Sequence, residues 1–549
     1  IKRADVKVLY KYRITDVQLA NGYIKNITLE SSDGTKLGKS IAAKVFIDCT
    51  YEGDLMAKAG VSYIIGREDN KQYGETYNGV QLMKGHQFPD GVDPYKIKGD
   101  STSGLLWGIS PAALSSDGTG DKLVQAYNYR ICLTDNPANK IEITRPENYD
   151  STKYELLLRL FDAQPNKRKL NHYFIWSRMP NNKTDINNRG GFSTDMIGMN
   201  HNYPEASYEE RAEIIKAHKD YTQGLLYFYK TDPRVPQELR DEIQAWGYPK
   251  DEYTEDNHWS PQLYIRESRR MTGDYVMTQA HCEGRETVTD GIGMAAYTMD
   301  SHNCQRLLVK KDGKYIVKNE GNVEIGGGLP YPISYRSIIP KEEECKNLLV
   351  PVCLSASHIA YGSIRMEPVF MVLAQSAAIA AAEAINTGSV QTVDIKKVQA
   401  LLHENPLLDD SFSEILIDDS ELDLSINNDW EVIKKQGGYG PTFLKSKVRN
   451  GSPVRFSPHM EHEGKYKVYT YYHMRKDISP AITYSISNGI DSWTRVIHKD
   501  SVRIEGQTTG EWIELGTYNF QKSSMPYIEI STGDTSGAVI ADAVLFIPV

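Results

Sequence analysis

The sequence predicts an α/β (α+β) domain with a mostly helical insert, followed by an all-β sandwich. A short apolar run at 348–352 leads through a polar loop into a long apolar helix. That helix has Pro368 in its first turn and ends near Gly388, as expected for helix punctuation. Residues 85–340 carry helical and irregular polar strings, which predict the insert. From about residue 413 to the end, short alternating runs separated by turns are typical of a sandwich.

Composition excludes several classes of protein. The net charge of -9 over 549 residues argues against nucleic acid as the main partner. The long apolar helix is interrupted by Gln375, Ser376 and Glu383, so we predict a core helix and no membrane span. The six cysteines lack CxxC spacing, so we expect no metal site and no dithiol motif. Buried or free thiols are favoured, and a Cys282–Cys304 disulfide stays open as an alternative.

The first 47 residues alternate like a small antiparallel meander, and the run AKVFIDCTYEGDLMAKAG then predicts a buried strand, a tight turn and a helix start. Ligands of doubly wound sheets bind at such strand ends. The residues predicted there are Asp48, Glu52, Gly53 and Asp54. The alternative is that Glu52 and Asp54 only cap the next helix. Because the chain begins inside a strand-rich pattern, we expect an upstream segment.

Six strings of the sequence resemble one protein family. Four of them are WSRMPNNKTDINNRGGFSTDMIGMN (176–200), YIRESRRMTGDYVMTQ (264–279), GIGMAAYTMDSHN (291–303) and GGGLPYPISYRSIIP (326–340). Together with the strand–turn–helix above and the segment 347–388, they resemble a large family of bacterial FAD-dependent oxidoreductases with a glutathione-reductase-type fold. The resemblance covers most of residues 40–390 and implies FAD as the cofactor.

The resemblance also implies a domain layout. Residues 1–84 are expected to form part of the FAD-binding domain, 85–340 a substrate or cap domain, and 341–412 the last strand and helices of the FAD-binding domain. In the family the pyrophosphate loop lies upstream of the meander, so we expect an N-terminally truncated flavoprotein-like domain with poor FAD affinity. The run Gly291-Ile-Gly293-Met-Ala-Ala296 fits GxGxxA, but a polar stretch precedes it, so we reject it as the fingerprint.

Two histidines are the candidate catalytic residues. His358 lies just before the apolar helix, whose N-terminus can hold an anion or a polarised carbonyl such as the flavin pyrimidine edge. An imidazole pKa near ~6.5 suits proton abstraction from an alcohol. His302 is predicted as a second acid/base or a substrate ligand. The alternative for His358 is structural hydrogen bonding in a buried loop.

Further residues are assigned to cofactor and substrate. Besides the strand-end residues named above, the cofactor residues on the loop before the apolar helix are Ser363, Arg365 and Met366. Arg266 and Arg270 are predicted to share one helix face and to bind a carboxylate, a uronate or a phosphate. Solvated charges or ion pairs are the alternative. The other substrate candidates are Asp300 and, by resemblance alone, Lys183, Asp185 and Asn188.

The C-terminal region, 413–549, carries a second resemblance. GEWIELGTYNF followed by AVIADAVLFIP is similar to the golvesin-type, xanthan-lyase-associated C-terminal module, which resembles carbohydrate-binding sandwiches. Trp430, Trp493 and Trp512 are candidate sugar platforms, with a core position as the alternative for Trp512. The module implies a carbohydrate or polysaccharide partner and a periplasmic, cell-surface or secreted location.

The leading hypothesis is an FAD-dependent oxidoreductase that dehydrogenates a carbohydrate or polyol, with hydride transfer to flavin. One alternative is a xanthan-type polysaccharide lyase, because proteins with this module often carry that name. The other is a non-catalytic glycan-binding protein on a degenerate flavoprotein scaffold. Sequence patterns do not specify the substrate, the electron acceptor or the oligomeric state.

Overall fold

The structure, a computed structural model, describes residues 6–326, 330–404, 412–422, 428–434, 438–440, 442–504, 510–522, 524–533 and 536–549. The chain divides into two compact units. The first unit comprises Ile1–Ser177 and Asn181–Gln399, and the second comprises Arg178–Pro180 and Ala400–Val549. The predicted domain boundary at 412/413 adjoins residues 405–411, which lie outside the described residues.

The N-terminal part of the first unit is a meander followed by a short buried strand. Its elements are β1 (Tyr12–Ala20), β2 (Tyr23–Ser31), β3 (Lys39–Ile41), β4 (Phe46–Ile47), α1 (Asp54–Lys58), β5 (Tyr63–Ile64) and α2 (Asn70–Tyr73). β1, β2 and β3 form the predicted antiparallel sheet. Asn21 and Gly22 join the first two strands with positive φ angles of 55° and 78°, as a tight hairpin turn requires.

The middle of the first unit mixes helices with paired strands. The elements up to the longest helix are β6 (Tyr95–Ile97), β7 (Asp100–Leu105), β8 (Lys140–Ile141), α3 (Glu155–Ala163), β9 (Phe174–Met179), β10 (Lys183–Asn188) and α4 (Tyr208–Thr231). The following elements are α5 (Gln237–Gln244), β11 (Tyr248–Pro249), β12 (Arg270–Met271), α6 (Gln279–Cys282), β13 (Gly291–Ala295), β14 (Met299–Ser301), β15 (Gln305–Lys311), β16 (Lys314–Glu320), β17 (Val323–Ile325) and β18 (Tyr331–Ser334).

The expectation of a mostly helical insert is therefore wrong. α3, α4 and α5 pack on one aromatic-rich core, but the remainder forms two-stranded sheets such as β15–β16 and β14–β17. Asp312 and Gly313 turn the β15–β16 hairpin with φ angles of 49° and 78°. Such local turns pair strands without long alternating runs, so the sequence pattern did not reveal them.

The end of the first unit returns to the N-terminal strand. Its elements are β19 (Leu348–Leu349), α7 (His358–Ile364), α8 (Glu367–Thr387) and α9 (Ile395–Glu404). β19 pairs in parallel with β4, so the carboxyl ends of both strands meet at one edge. α8 ends at Gly388 with φ 91°, as predicted. Residues 358–364, expected as loop, instead form α7, because Ser357 caps the backbone N–H of Ala360.

Among the described residues, one helix, α8, is long and apolar enough to cross a membrane, as judged by length and composition alone. Leu373, Ala377 and Ala380 are fully buried, whereas Met371 is exposed. Because core helices can have the same length and composition, the core position expected for this segment stays a prediction.

The second unit is rich in strands. Its elements are β20 (Ile415–Asp418), β21 (Trp430–Lys434), β22 (Thr442–Ser446), β23 (Val454–Phe456), β24 (Gly464–His473), β25 (Ala481–Ser487), β26 (Ser492–His498), β27 (Gly510–Phe520), β28 (Tyr527–Ile530), β29 (Ile540–Ala541) and β30 (Ala543–Pro548). The sheets have the orders β20-β30-β24-β27, β23-β28-β25-β26 and β21-β22-β29. Their inner faces share one apolar core.

The candidate platform tryptophans differ in exposure. Trp430 is buried, and its Nε1 donates to the carbonyl of Ser452 at 2.8 Å. Trp493 packs on Tyr518 with a ring separation of 4.5 Å. Trp512 is half-buried against two tyrosine rings. Trp430 therefore lies in the core, whereas Trp512 is only half-buried.

Candidate active site

The site is built where α7 lies against β14. An added Cβ at Gly362 of α7 would approach the carbonyl oxygen of Asp300 to 2.7 Å, so only glycine permits this contact. The close approach brings the C-terminal end of α7, with Arg365, beside Asp300. Ser301, the last residue of β14 and the neighbour of His302, also lies 2.9 Å from Nε2 of His358 at the start of α7.

His302 is the residue of this site with a free ring nitrogen. Its Nδ1 lies 2.6 Å from Oδ2 of Asp195, while its Nε2 is 3.8 Å from Oδ2 of Asp300 and makes no hydrogen bond within the described part of the chain. Burial and Arg266 lower the pKa of His302, against the opposing effect of Asp195 and Asp300. At neutral pH the ring is therefore uncharged, donates from Nδ1 to Asp195 and presents an Nε2 lone pair.

Two arginines balance the carboxylates around His302. Nη2 of Arg266 lies 3.1 Å from Oδ1 of Asp195, and both side chains are fully buried. Burial opposes ionisation of Asp195, but Arg266 and His302 outweigh it and lower the pKa of that carboxyl. Nη2 of Arg365 lies 2.8 Å from Oδ2 of Asp300. We call His302, Asp195, Asp300, Arg266 and Arg365 the His302 cluster; its charged pairs cancel.

A second histidine borders the His302 cluster. The ring of His86 lies 6.4 Å from that of His302. Its Nδ1 is 3.1 Å from the side-chain amide of Asn188, and its Nε2 is 3.2 Å from Glu324. Burial opposes protonation of His86, but Glu324 outweighs it and raises the pKa of the ring. Asn188 also accepts the backbone N–H of Asp195 at 3.2 Å, so this predicted substrate residue does reach the site.

His358 is enclosed in a hydrogen-bonded chain. Its Nε2 lies 2.9 Å from Oγ of Ser301 and its Nδ1 lies 2.8 Å from Oε2 of Glu267. Burial opposes ionisation of Glu267, but His358 and Arg270 outweigh it and lower the pKa of the carboxyl to about 2. His358 is 2% exposed, and both ring nitrogens have partners inside the protein. This arrangement favours the structural alternative for His358 over direct contact with substrate.

The predicted helix face of Arg266 and Arg270 does not exist. Residues 264–269 lie outside helices and strands, and β12 begins at Arg270, where it pairs with β5. Arg270 donates to Glu68 at 2.5 Å and pairs with Glu267 at 2.7 Å. The predicted helix is wrong because partners from distant segments bury both arginines in an extended stretch, and their role in binding a carboxylate, a uronate or a phosphate stays a prediction. Both arginines are engaged in ion pairs, as the alternative proposed.

The other candidate substrate residues are held by ion pairs. Lys183 Nζ lies 2.9 Å from Asp251 and 2.9 Å from Glu252. Asp185 accepts from Nε of Arg130 at 2.9 Å in a half-exposed pair. Neither residue has a recorded bond to the His302 cluster, so a substrate role for these two residues stays a prediction.

The strand-end residues after β4 are engaged in local contacts. Asp48 accepts the backbone N–H groups of Thr50 at 3.0 Å and Met56 at 2.9 Å, so Asp48, rather than Glu52 or Asp54, supports the start of α1. Burial raises the pKa of Asp48. Gly53 has φ 68°, and an added Cβ would lie 2.9 Å from the end of the Met56 side chain.

Two acidic side chains of the same loop face other segments. Tyr203 donates to Glu52 at 3.0 Å, and burial raises the pKa of that carboxyl. Asp54 pairs with Arg211 at 2.6 Å and Arg269 at 2.8 Å. Burial opposes ionisation of Asp54, but the two arginines outweigh it and lower the pKa.

The first turn of α8 has no side-chain cap among the described residues. Met366 is its N-cap and makes no side-chain cap, so the first-turn N–H groups keep no side-chain partner. Nε of Arg365 is buried and unpartnered in the part of the chain that the structure describes. Ser363 is different: it receives the Tyr331 hydroxyl at 2.8 Å and donates to the carbonyl of Tyr297 at 2.5 Å.

Sequence reasoning missed several residues of this site. Asp195, His86 and Glu68 were not predicted, and Glu267 was noted only within a charge run. Asp195 lies inside the polar string 176–200, which was the one signal available. Its partner His302 is 107 residues away, so no local spacing could reveal the pair.

Comparisons with known proteins bear on both parts of the chain. Residues 1–402 match the model of the FAD dependent oxidoreductase family, and residues 415–548 match that of the Golvesin C-terminal domain. No curated protein matches.

Solved structures give only partial similarity. A Paenibacillus xanthan lyase shares 22% identity over 25% of this chain and 13% of its own, with a TM-score of 0.21. A ruminal GH26 endo-β-1,4-mannanase shares 12% over 24% of this chain and 25% of its own, with a TM-score of 0.18. The CBM22-1 xylan-binding domain from Paenibacillus barcinonensis Xyn10C shares 11% over 24% of this chain and 86% of its own, with a TM-score of 0.16.

The chain spans far less than two thirds of the first two of these structures, and TM-scores this low carry no argument. The family match over residues 1–402, by contrast, covers well over half of the chain, as the resemblance of its sequence strings predicted. The chain belongs to the FAD dependent oxidoreductase family and carries a Golvesin C-terminal domain after it.

Proposed function

We propose that the protein is an FAD-dependent oxidoreductase that dehydrogenates a carbohydrate or polyol, with His302 as the general base. The observation that carries this proposal is the free Nε2 of His302, whose ring is oriented by Asp195 through Nδ1. A neutral imidazole held in this way removes a hydroxyl proton while the alcohol carbon loses hydride. Arg266 keeps Asp195 ionised, so the positive charge that develops on His302 is stabilised.

Flavin, when bound, accepts the hydride and leaves the protein to orient the substrate and set its protonation. The residues near α8 fit the pyrimidine side of that group. The uncapped N-terminus of α8 has free N–H donors, and Arg365 has a buried, unpartnered Nε within the described residues. Both would stabilise negative charge at this edge. Met366, the N-cap of α8, would contribute to this side of the cofactor site through its backbone.

The phosphate side of FAD finds no comparable fit in the described residues. Gly291–Ala295, which fit the glycine fingerprint, form β13 and pair antiparallel with β18 instead of opening a helix. A cleft of about 800 Å³ beside Asp54 contains Arg13, Arg211 and Arg269, but each of these arginines is paired with a carboxylate. FAD affinity is therefore expected to rest on the pyrimidine side in this chain.

The second unit supports the choice of a carbohydrate substrate. Its family match, the Golvesin C-terminal domain, is of the kind that resembles sugar-binding sandwiches. Trp512 contacts Tyr439 at a ring separation of 5.2 Å, and Tyr439 is 46% exposed. Flat aromatic rings at a surface suit pyranose faces. We place the protein outside the cytoplasm, in the periplasm, on the cell surface or secreted, on the same ground.

The proposal is tested with the full chain reconstituted with FAD. Flavin absorbance at ~450 nm is monitored anaerobically while a panel of sugars and polyols is added, and bleaching reports the reductive half-reaction. His302→Asn should bind FAD as the unmodified protein does but be reduced ~10²–10⁴-fold more slowly, because the base is gone.

His498→Asn, which changes an exposed histidine of β26, serves as the matched control and should leave the rate unchanged. A protein that stays colourless with excess FAD would refute the oxidoreductase function. Release of unsaturated products absorbing in the ultraviolet, without FAD, would favour the lyase alternative. Glycan binding without any flavin uptake would favour the non-catalytic one.

A further inference from the structure

Three aspartates of the second unit converge in its interior. Asp418 ends β20, Asp419 follows it, and Asp542 lies between β29 and β30. One carboxylate oxygen from each residue lies within 4.8 Å of the others. The site thus joins two segments that are more than 120 residues apart in the sequence, as the numbering of Asp418 and Asp542 shows.

The carboxylates are buried and incompletely satisfied. Asp419 is 2% exposed and Asp542 is 0% exposed. Oδ2 of Asp419 receives the Thr442 hydroxyl at 3.0 Å, but its Oδ1 is buried and has no partner among the residues that the structure describes. Oδ2 of Asp418 is likewise buried and unpartnered, although its Oδ1 receives the N–H of Ser420 at 3.1 Å. Unpartnered carboxylate oxygens inside a protein are costly.

Within the described residues, no positive charge compensates this cluster. Among the described residues, no lysine or arginine forms an ion pair with any of the three aspartates, so up to three negative charges face one another. Buried carboxylates without a paired base require a proton or a cation.

We propose that the second unit binds one calcium ion between Asp418, Asp419 and Asp542. The donor set consists of carboxylate oxygens, which are hard ligands, and it contains neither histidine nor cysteine, so zinc and copper are disfavoured. Calcium accepts six to eight oxygens with flexible geometry, whereas magnesium demands a near-octahedral shell and keeps several waters. A buried site assembled from distant segments suits calcium better.

The backbone of Gly438 and Gly440 lies close to the cluster. A Cβ on Gly438 would be 2.9 Å from the carbonyl oxygen of Thr442 and 2.8 Å from Oδ2 of Asp542, and a Cβ on Gly440 would be 2.7 Å from Oδ2 of Asp418. The loop that contains both glycines therefore packs directly on the carboxylates. Side chains at these positions would fill the space that a cation needs.

The same loop connects the site to the surface aromatic residues. The backbone N–H of Tyr439 donates to Oδ2 of Asp542 at 3.0 Å. The Tyr439 ring contacts Trp512 at 5.2 Å and Tyr471 at 5.9 Å between centroids. A bound calcium ion would fix this loop, and with it the orientation of Tyr439 against Trp512.

The test uses the full chain, freed of metal with a chelator that is then removed. Calcium chloride is titrated by calorimetry, with magnesium chloride in a parallel titration. We expect one calcium ion per chain, and Asp419→Asn and Asp542→Asn should each weaken the affinity by about 100-fold, the range seen when metal-site residues are altered. Magnesium should bind at least ~10-fold more weakly, because its shell fits such a site poorly.

Asp500→Asn, which alters an exposed aspartate of the same unit, is the matched control and should bind calcium as the unmodified chain does. Circular dichroism of each metal-free variant checks that it is folded, since asparagine keeps the shape of the side chain. No calcium binding up to ~1 mM, the weak limit of protein calcium sites, would overturn the proposal. Equal calcium binding by all variants, or magnesium binding as tight as calcium binding, would also overturn it.

Discussion

Two buried carboxylate clusters of this protein differ in how their charge is balanced. In the His302 cluster, Asp195 and Asp300 each face an arginine, at 3.1 Å and 2.8 Å. In the cluster of the second unit, no lysine or arginine among the described residues pairs with the three aspartates. Oδ2 of Asp418 and Oδ1 of Asp419 have no hydrogen-bond partner there, whereas Oδ1 of Asp195, which also makes no hydrogen bond, faces Arg266. The first cluster is electrically complete and fixes the protonation of its histidine. We infer that the second cluster takes up a proton or a cation from solution, whereas the first cluster has its counter-charges within the protein.

The largest expected effect on stability comes from removing the Asp195 carboxylate from the His302 cluster. Asp195→Asn leaves Arg266 fully buried without a carboxylate, and we expect a loss of about 3–5 kcal/mol in the free energy of unfolding. Urea denaturation followed by fluorescence measures it. The same change removes the group that orients His302, so flavin reduction should slow as well. A loss below ~1 kcal/mol, the value of an exposed pair, would mean that Arg266 finds another partner.

The corresponding substitution in the aspartate cluster of the second unit should raise stability instead of lowering it. In metal-free protein, Asp419→Asn removes one of several buried like charges, so we expect a gain in stability of about 1 kcal/mol. Hydrogen exchange of β20 and β30 reports it locally. With calcium present, the unmodified chain should become the more stable of the two. Destabilisation of the metal-free variant would indicate that the Asp419 carboxylate has a cationic partner.

The two clusters should also respond differently to pH. Burial and Arg266 lower the pKa of His302, so its basic form persists below the ordinary value near ~6.5. The rate of flavin reduction should be level from pH 8 down to that value and fall only at lower pH, as His302 gains a proton. The unfolded chain binds that proton more readily, so the contribution of His302 to stability is present above ~6.5 and is lost as the pH falls.

In metal-free protein, the stability of the second unit should depend on pH in the opposite direction. The pKa values of Asp419 and Asp542, both about 7, are raised above that of an unfolded carboxyl. The folded state then holds protons that the unfolded state has lost, so stability is present at low pH and decreases as the pH rises through 7. Hydrogen exchange at pH 8 and pH 5.5, corrected for the intrinsic rate, compares β14 with β30. Parallel trends in the two strands would contradict the difference in charge balance.

Local patterns predicted the elements that frame the site. Pro368 and Gly388 marked the two ends of α8, and the apolar run before the polar loop marked β19. The ends of a helix and the position of a short buried strand depend on residues close together in the sequence, so local patterns can predict them. His302 and Asp300 were named as candidates within the string 291–303, and their roles stay predictions.

The partners of these residues could not be predicted in the same way. His302 meets Asp195 and His358 meets Glu267 across 107 and 91 residues. Arg266 and Arg270 were predicted to share a ligand-binding helix face, because the sequence does not show that carboxylates from distant segments bury them. The α7 helix was missed for a related reason: its polar side chains point to remote partners rather than to solvent. Long-range pairing decides these positions, and local periodicity does not encode it.

The smallest expected effect on stability concerns the half-exposed ion pair of Asp185 and Arg130, where stability and substrate binding can be measured separately. Asp185 pairs with Arg130, and both side chains keep more than 30% of their surface exposed. Asp185→Asn should therefore change the free energy of unfolding by less than ~1 kcal/mol, far less than Asp195→Asn. Because stability is preserved, the KM of the oxidised sugar then reports directly on contact with substrate. A raised KM with unchanged kcat would establish Asp185 as a substrate ligand, and an unchanged KM would leave it as a surface ion pair.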